Sequence, residues 1–511
     1  MEKESIKTEN NKTENNKKVV ERLHYVFIAL AVFICVVFNI VSVNPDNDGY
    51  FLIETGRYIV ENKEVPTNNV WTIHEDFAIV IQQWVICVMN YLIHSNFGET
   101  GLIITALLFA CAINVIMFKY TKLFTNNKKV MTIALCAMNV VMARYITTRP
   151  QTISIIVITL ELILLEKLKR LNTVNKKNTI KFIAAMSLLS IIQINCHAAM
   201  WAMTIIIMLP YMVPQVWGIK KIRDIKIDKS KTIIMIASIL GMIASALINP
   251  NGIKAITYII NSYKNTMNLD LIYEMRSPDI FSEFALPIIA VIILTTINIM
   301  NKKCNKELIY LTLGTLLMAS MHIRSIWLIS YSLIQMLSLT LNNKLGTEFT
   351  GETTKQNYKF ILVLYTVTIV FITLFLCPKV IYMKNDSSYN SLHQSEVEIA
   401  DYLDKNIKNK DEVRLFTEYN NGGYFEFRGY KVYIDPRAEA YALSINKKKN
   451  ILLEYLKVYC GDIDYDKFIK EYKFTHLVVE KDSIFDTYLK YNDNYKNLYS
   501  SESGCNLYCE K

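Results

Sequence analysis

Eleven apolar runs punctuate the chain, at about 25–44, 101–118, 130–146, 152–168, 182–195, 198–216, 232–248, 284–300, 308–321, 325–341 and 359–381. A bilayer core of ~30 Å takes about 20 apolar residues of helix, so a run of this kind reads as a crossing. The pattern predicts eleven membrane helices. Ahead of the first run lies a polar tail, residues 1–24, in which KTENN occurs twice in tandem. The first run lacks a small-residue cleavage site and reads as a retained anchor rather than a signal peptide.

Two stretches break the pattern. The connection 45–100 carries GYFLIETGRYIVEN (49–62) and AIVIQQWVICVMNYLIHS (78–95), both predicted as interfacial helices, with VPTNNVW as a turn between them. A twelfth crossing at 78–95 would invert every later connection, so that reading is rejected. After the last run, EVEIADYLDKNIKN (396–409) has the period of an amphipathic helix. EVRLFTEY, YFEF, KVYID and HLVVEK read as strands, with Asn421-Gly422-Gly423 as the turn between the first two. Helical patterns fall near 445–458 and 464–471. The predicted fold is mainly α: a polytopic helix bundle over 25–381 with a long first outer loop, then a soluble α/β domain over 382–511.

Charge orients this bundle. One alternating set of connections (the tail, 119–129, 166–181, 218–231, 301–307 and 342–359) holds 28 Lys and Arg. In the other set, 45–100 has only Arg57 and Lys63 against eight acids, and the remaining turns carry few basic residues. Basic connections stay in the cytoplasm. The expectation is a multi-pass plasma-membrane protein with its tail inside and residues 382–511 outside.

Composition agrees and excludes other classes. The chain has 511 residues, 52% hydrophobic and 20% charged, and a mean hydropathy of +0.21. That is too apolar for a soluble protein of several domains or for a disordered one. The net charge of +10 belongs mostly to the inner connections, so no nucleic-acid partner is expected. Ten cysteines form no CxxC pair and no metal-ligand spacing, and Cys505 and Cys509 share one probable strand. Four of five tryptophans (Trp71, Trp84, Trp201, Trp327) fall near the outer side, as interfacial anchors would.

Unusual polar residues collect on the outer side. They are Asp46 and Asp48 after the first run, Arg149 and Gln151 in TTRPQT, His197 in NCHAAMW and Asn249 and Asn251 in NPNG. Glu274 and Arg276 in EMRSPD, and His322 and Arg324 in MHIRS, complete the set. The runs before His197 and His322 are only about 14 residues long, which would sink their turns below the membrane surface. Singly, each residue has an ordinary reading as a snorkelling anchor or turn former. One-sided clustering points instead to an outward-facing crevice for an anionic substrate. Asp435, Arg437 and Glu439 in IDPRAEAY follow a predicted strand and would share a face. That segment reads equally as acceptor binding or as a buried Asp–Arg tie to the membrane part.

The ordered set DNDGYFLIETGRYI, VPTNNVW with QQW, TRPQ, NCH, NPNG, EMRSPD, HIR and NNGGYFEFRGYKVYIDPRAEAY spans about 400 residues. It resembles membrane glycosyltransferases of the GT-C superfamily, and within them a poorly characterised bacterial family of polytopic proteins. The family's first motif often has a His near Leu52; this chain has none there, so no role for it carries over. The resemblance implies transfer of a sugar from a polyprenyl-phosphate donor to a glycan, lipid or protein acceptor outside the membrane. Asp48 would be the general base with Asp46 as its partner, and Arg149, Arg276 and Arg324 would receive the lipid phosphate, with His197 and His322 beside them. No nucleotide-binding loop occurs, so no cofactor is predicted and no metal site is indicated. A glycan polymerase or ligase shares these features. A transporter or flippase of anionic lipid or glycan ranks lower, because no internal repeat and no midplane polar site is seen.

Overall fold

The computed structural model describes residues 47–216, 229–263, 272–342, 388–502 and 504–511. The tail, Asp46, the predicted helices 25–44 and 359–381 and most of 218–231 lie outside these residues. The described chain is mainly helical with one small sheet.

Helix α1 (Asn47–Asn62) and α2 (Trp84–Thr121) enclose the first loop. Gly98 breaks α2 with φ +61° and ψ −157°, a conformation that favours glycine, and separates the predicted interfacial half from the predicted crossing. The helix expected from residue 78 starts only at Trp84. Residues 67–79 instead form a tight hairpin, with Asn69 N–H donating to Phe77 O (2.7 Å) and Ile79 N–H to Thr67 O (2.9 Å). Ile79 and Ile81 are buried while Ala78 is exposed, which is the period-two signature of extended chain.

The bundle continues with α3 (Lys128–Met142), α4 (Gln151–Arg170), α5 (Lys176–Cys196), α6 (Trp201–Ile206), α7 (Leu209–Val216), α8 (Lys229–Ser245), α9 (Ile253–Tyr263), α10 (Ala285–Met300), α11 (Lys306–Met321) and α12 (Ile329–Leu341). Among the described residues, α2 and α5 are long and apolar enough to cross a membrane. The run read as 182–195 is 21 residues of helix, because Asn175 caps a polar first turn. A shortened helix therefore does not explain the position of His197. The run 198–216 is not one helix but a short 3-10 turn followed by α6 and α7.

The two sets of connections separate to opposite ends. At one end Lys231 Nζ donates to Lys169 O (2.9 Å), Lys169 pairs with Glu307 (3.9 Å) and Asn342 Nδ2 donates to Phe124 O (3.1 Å). At the other end the turns carrying Arg149, His197, Asn251, Glu274 and His322 meet the first loop and one another. The tryptophans are not lipid anchors: Trp71, Trp201 and Trp327 are buried, and Trp84 donates its indole N–H to Asn195 Oδ1 (2.8 Å).

Residues 388–511 form an α/β unit. Its strands are β1 (Arg414–Phe416), β2 (Lys431–Val432), β3 (His476–Glu480), β4 (Tyr495–Ser500) and β5 (Cys505–Glu510), in the order β2-β1-β3-β5-β4. The β2-β1-β3 pairs are parallel and the others antiparallel. YFEF, read as a strand, is instead helix α14 (Gly422–Phe427), which follows α13 (Ser388–Asn406). The Asn-Gly-Gly is thus no hairpin turn. A Cβ on Gly422 would stand 2.0 Å from Ile434 O, so the glycine lets α14 lie against the chain entering IDPRAEAY.

The first loop completes this unit. Ile73 N–H donates to Val432 O (2.9 Å) and Val432 N–H to Trp71 O (3.1 Å), so the loop covers the exposed edge of β2. Phe51, Leu52, Trp71, Ile73 and Ile79 share one hydrophobic core with Tyr433, Tyr441, Phe468 and Leu477. His74 bonds Tyr433 O (2.7 Å), and burial pushes its imidazole down to about 4, so it is neutral near pH 7.

Two predictions follow from this packing. A Cβ on Gly56 would sit 2.0 Å from Cys87 O, where α1 crosses α2. Gly56→Ala should lower stability by about 1–3 kcal/mol in thermal unfolding. Gly314→Ala, whose Cβ meets nothing within 4 Å, should not destabilise. Burial also pushes Glu396 up to about 7 from the ordinary 4.5, against a 3.2 Å contact with His393. A raised carboxyl favours the fold below 4.5 and loses that contribution as pH rises through 7. Unfolding of the α/β unit should therefore become easier by on the order of 2 kcal/mol between pH 5 and 8. Glu396→Gln should flatten that dependence.

Candidate functional site

Asp48 stands in the first turn of α1, and the Thr-Thr-Arg-Pro bend before α4 brings Arg149 to it. Arg149 Nη2 lies 3.1 Å from Asp48 Oδ2, and Nη1 lies 3.8 Å from Glu274 Oε1. All three side chains keep partial exposure, at 35% for Asp48, 27% for Arg149 and 49% for Glu274. An anion or a hydroxyl can therefore reach them.

Around this cluster the turns are tied together through the backbone. His322 Nδ1 bonds Met275 O (2.7 Å), and Ile323 N–H donates to Arg276 O (3.0 Å). Arg324 Nη1 meets Met275 Sδ (3.6 Å), and Gln151 Nε2 donates to Arg324 O (3.0 Å). The Arg276 side chain is exposed beside them. His197 is buried, bonded through Nδ1 to Ser154 Oγ (2.7 Å) and within electrostatic reach of Arg324. The structure thus brings Asp48, Arg149, Gln151, Glu274, Arg276, His322 and Arg324 to one end of the bundle, with His197 one layer deeper. Asp46 is outside the described residues.

Asp435 and Arg437 are buried in the adjoining α/β unit. Arg437 donates from Nε to Asp435 Oδ1 (2.8 Å) and from Nη2 to Asp435 Oδ2 (2.7 Å) and Glu426 Oε1 (2.8 Å). Its guanidinium lies over the rings of Trp71 (4.9 Å) and Phe51 (5.5 Å). Tyr441 O–H also donates to Asp435. Burial would raise the Asp435 carboxyl, but the Arg437 charge and these hydrogen bonds hold it below the usual range. Burial wins at Glu426, which is pushed well up. Of the two readings of IDPRAEAY, the buried Asp–Arg tie describes this geometry; Glu439 alone of the three points elsewhere, accepting from Gln82 Nε2 (3.2 Å) and bonding Tyr258.

Sequence reasoning noted Gln82 only as part of QQW, with no role, and missed Tyr258 and Tyr419. Tyr419 donates to Pro436 O (2.7 Å); burial pushes its phenol well up, and the charge of Asp48 adds to the push, so the α/β unit brings this hydroxyl toward Asp48. Tyr419 directly precedes the NNGG stretch, but no periodicity marks it out. Among the described residues no three His, Cys, Asp or Glu side chains converge as a metal site requires.

The whole architecture matches known structures. The archaeal oligosaccharyltransferase AglB from Archaeoglobus fulgidus, in complex with an inhibitory peptide and a dolichol-phosphate, aligns at TM-score 0.57 and 10% identity, over 90% of this chain and 69% of that one. ArnT from Cupriavidus metallidurans aligns in the apo state at TM-score 0.53 and 12% identity, over 96% and 98%. The same ArnT bound to undecaprenyl phosphate aligns at TM-score 0.51 and 10% identity, over 95% and 97%. No protein-family profile and no curated protein sequence matches the chain. The chain thus shares the fold of these two transferase structures.

The Arg437 anchor can be tested directly. Arg437→Met leaves Asp435 as a buried, unpaired charge and should cost about 3–5 kcal/mol of stability. Limited proteolysis should then cut the loop 63–83 sooner. Arg437→Lys should be intermediate, because an ammonium cannot make the forked contact.

Proposed function

We propose that this chain is a membrane glycosyltransferase that moves a sugar from a polyprenyl-phosphate-linked donor to an acceptor on the outer face of the membrane. The Asp48–Arg149 pair at 3.1 Å, open to solvent at the end of the bundle, carries the reading. The GT-C fold supports it, as do neighbours solved with dolichol-phosphate and with undecaprenyl phosphate. The basic connections at the opposite end support an orientation with that end outside the cytoplasm.

In this reading the acceptor hydroxyl lies beside Asp48, which takes its proton as the oxygen attacks the anomeric carbon. The bond between that carbon and the phosphate oxygen breaks, and the polyprenyl phosphate leaves with the electron pair. Arg149, Arg276 and Arg324 face the growing negative charge on the phosphate. Arg149 has a double task, orienting the Asp48 carboxylate through one nitrogen and facing the donor. The acceptor is a glycan, a lipid or a protein.

Asp48→Asn keeps the shape and removes the base, so transfer in membranes should fall by roughly 10²–10⁴-fold. Mass spectrometry of envelope glycans and surface proteins, comparing cells carrying the wild-type gene, the variant or no gene, reads this out. Unchanged glycans in the Asp48→Asn strain would sink the assignment of the base.

A further inference from the structure

The loop before α10 ends in a hydrogen-bonded turn with an unusual tip. Ser282 N–H donates to Asp279 O (3.0 Å), and Asp279 Oδ1 accepts from Phe281 N–H (2.9 Å). Ser282 Oγ closes the turn on Asp279 O (2.5 Å). The central positions of such a turn normally carry Gly, Pro, Asn or Asp. Here they are Ile280 and Phe281, exposed by 70% and 95%. No large hydrophobic residue in the described chain is more exposed than Phe281. A turn locked by its own side-chain hydrogen bonds holds these two side chains outward.

What meets them is argued from the helix that follows. Ala285 N–H donates to Ser282 O (3.1 Å), so α10 starts directly from the turn. Its sequence ALPIIAVIILTTINIM contains no charge. Leu286, Ile289, Ile292, Ile293, Ile297 and Met300 are exposed along one side, while Val291, Thr295 and Asn298 are buried on the other. The apolar tip thus continues an apolar stripe running the length of a helix, as a lipid-facing surface would. The opposite side of the loop is pinned to the bundle, by Ser277 Oγ to Met321 O (3.2 Å) and by Ile323 N–H to Arg276 O (3.0 Å).

We propose that the Asp279–Ser282 turn inserts Ile280 and Phe281 into the outer leaflet of the bilayer and fixes the loop bearing Glu274 and Arg276 at the depth of the lipid headgroups. The inference rests on the membrane reading above and not on the transfer chemistry. It assigns the turn a lipid partner and makes the interface between this loop and the leaflet the side from which a lipid phosphate meets Arg276.

The test replaces Phe281 in the full chain by the photoreactive Phe281→benzoylphenylalanine, reconstituted in vesicles of phosphatidylethanolamine and phosphatidylglycerol. Tyr491→benzoylphenylalanine, at a site 79% exposed on the α/β unit, is the reference. After irradiation, mass spectrometry should find at least ten-fold more acyl-chain adduct at 281 than at 491. Equal yields at the two sites, or adducts at 281 only to a second protein, would overturn the proposal. Phe281→Trp read against wild type with brominated lipids gives a second measure: bromine-dependent quenching of the added fluorescence supports insertion, and quenching by aqueous iodide alone contradicts it. Neither measurement requires sugar transfer, so failure here is separable from failure of the functional reading.

Discussion

The guanidinium of Arg437 holds together the parts that make the end of this protein bearing Asp48. It is held by two carboxylates, Asp435 and Glu426, and covers the rings of Trp71 and Phe51. Those four partners come from the α/β unit, the first loop and α1. Burying a charge is costly, and the forked pairing of Nε and Nη2 with Asp435 and Glu426 recovers part of that cost. With Asp435 ionised and Glu426 pushed up by burial, the cluster approaches neutrality rather than leaving a surplus of negative charge. The consequence lies at the start of α1. Phe51, under the guanidinium, is one turn from Asp48, so whatever fixes the one fixes the other.

Close packing sets the second constraint. Gly56 lets α1 touch α2 backbone to backbone, and Gly422 does the same for α14 against Ile434. Between them the loop strand Trp71–Ile73 closes the edge of the sheet. The loop and the α/β unit are therefore one folded body with a common core, although more than 300 residues of chain separate them. Asp48 begins a helix, where the positive end of the helix dipole and the Arg149 cation are both fitting neighbours for a carboxylate.

Much of this could be read from the chain. Apolar runs located most of the described bundle helices, though α9 lies in a stretch read as a connection and the run 198–216 is broken. Lys and Arg counts sorted the connections into the two groups that the structure separates, and polar residues of one group were expected to converge. What failed was local. AIVI before Trp84 and the helix behind it are both apolar, so only burial in the folded state tells period two from period 3.6. YFEF has strand-forming residues, yet the α14 helix wins because Gly422 permits a backbone approach that a strand there does not use. The polar first turns of α5 hid its length. Gln82, Tyr258 and Tyr419 were illegible for another reason: each matters through a partner far away in sequence, which composition and spacing do not encode.

The polar side chains at the end bearing Asp48 divide into two kinds by what they bond. Gln151 donates to Arg324 O, Asn251 to Ile81 O, Tyr145 to Ile323 O, and His322 bonds Met275 O. Each of these groups thus contacts the backbone of a neighbouring turn and satisfies a carbonyl that would otherwise face a low-dielectric setting. Asp48, Arg149 and Glu274 bond one another and stay partly exposed. A backbone carbonyl cannot leave its tie when a substrate arrives, whereas an ion pair at the surface can exchange partners at small cost. Division of labour follows: the amides, Tyr145 and His322 hold the turns at fixed spacing, and the charged residues on those turns remain available to an incoming anion. The clustering of unusual polar residues at one end thus brings backbone ties and partly exposed charges together.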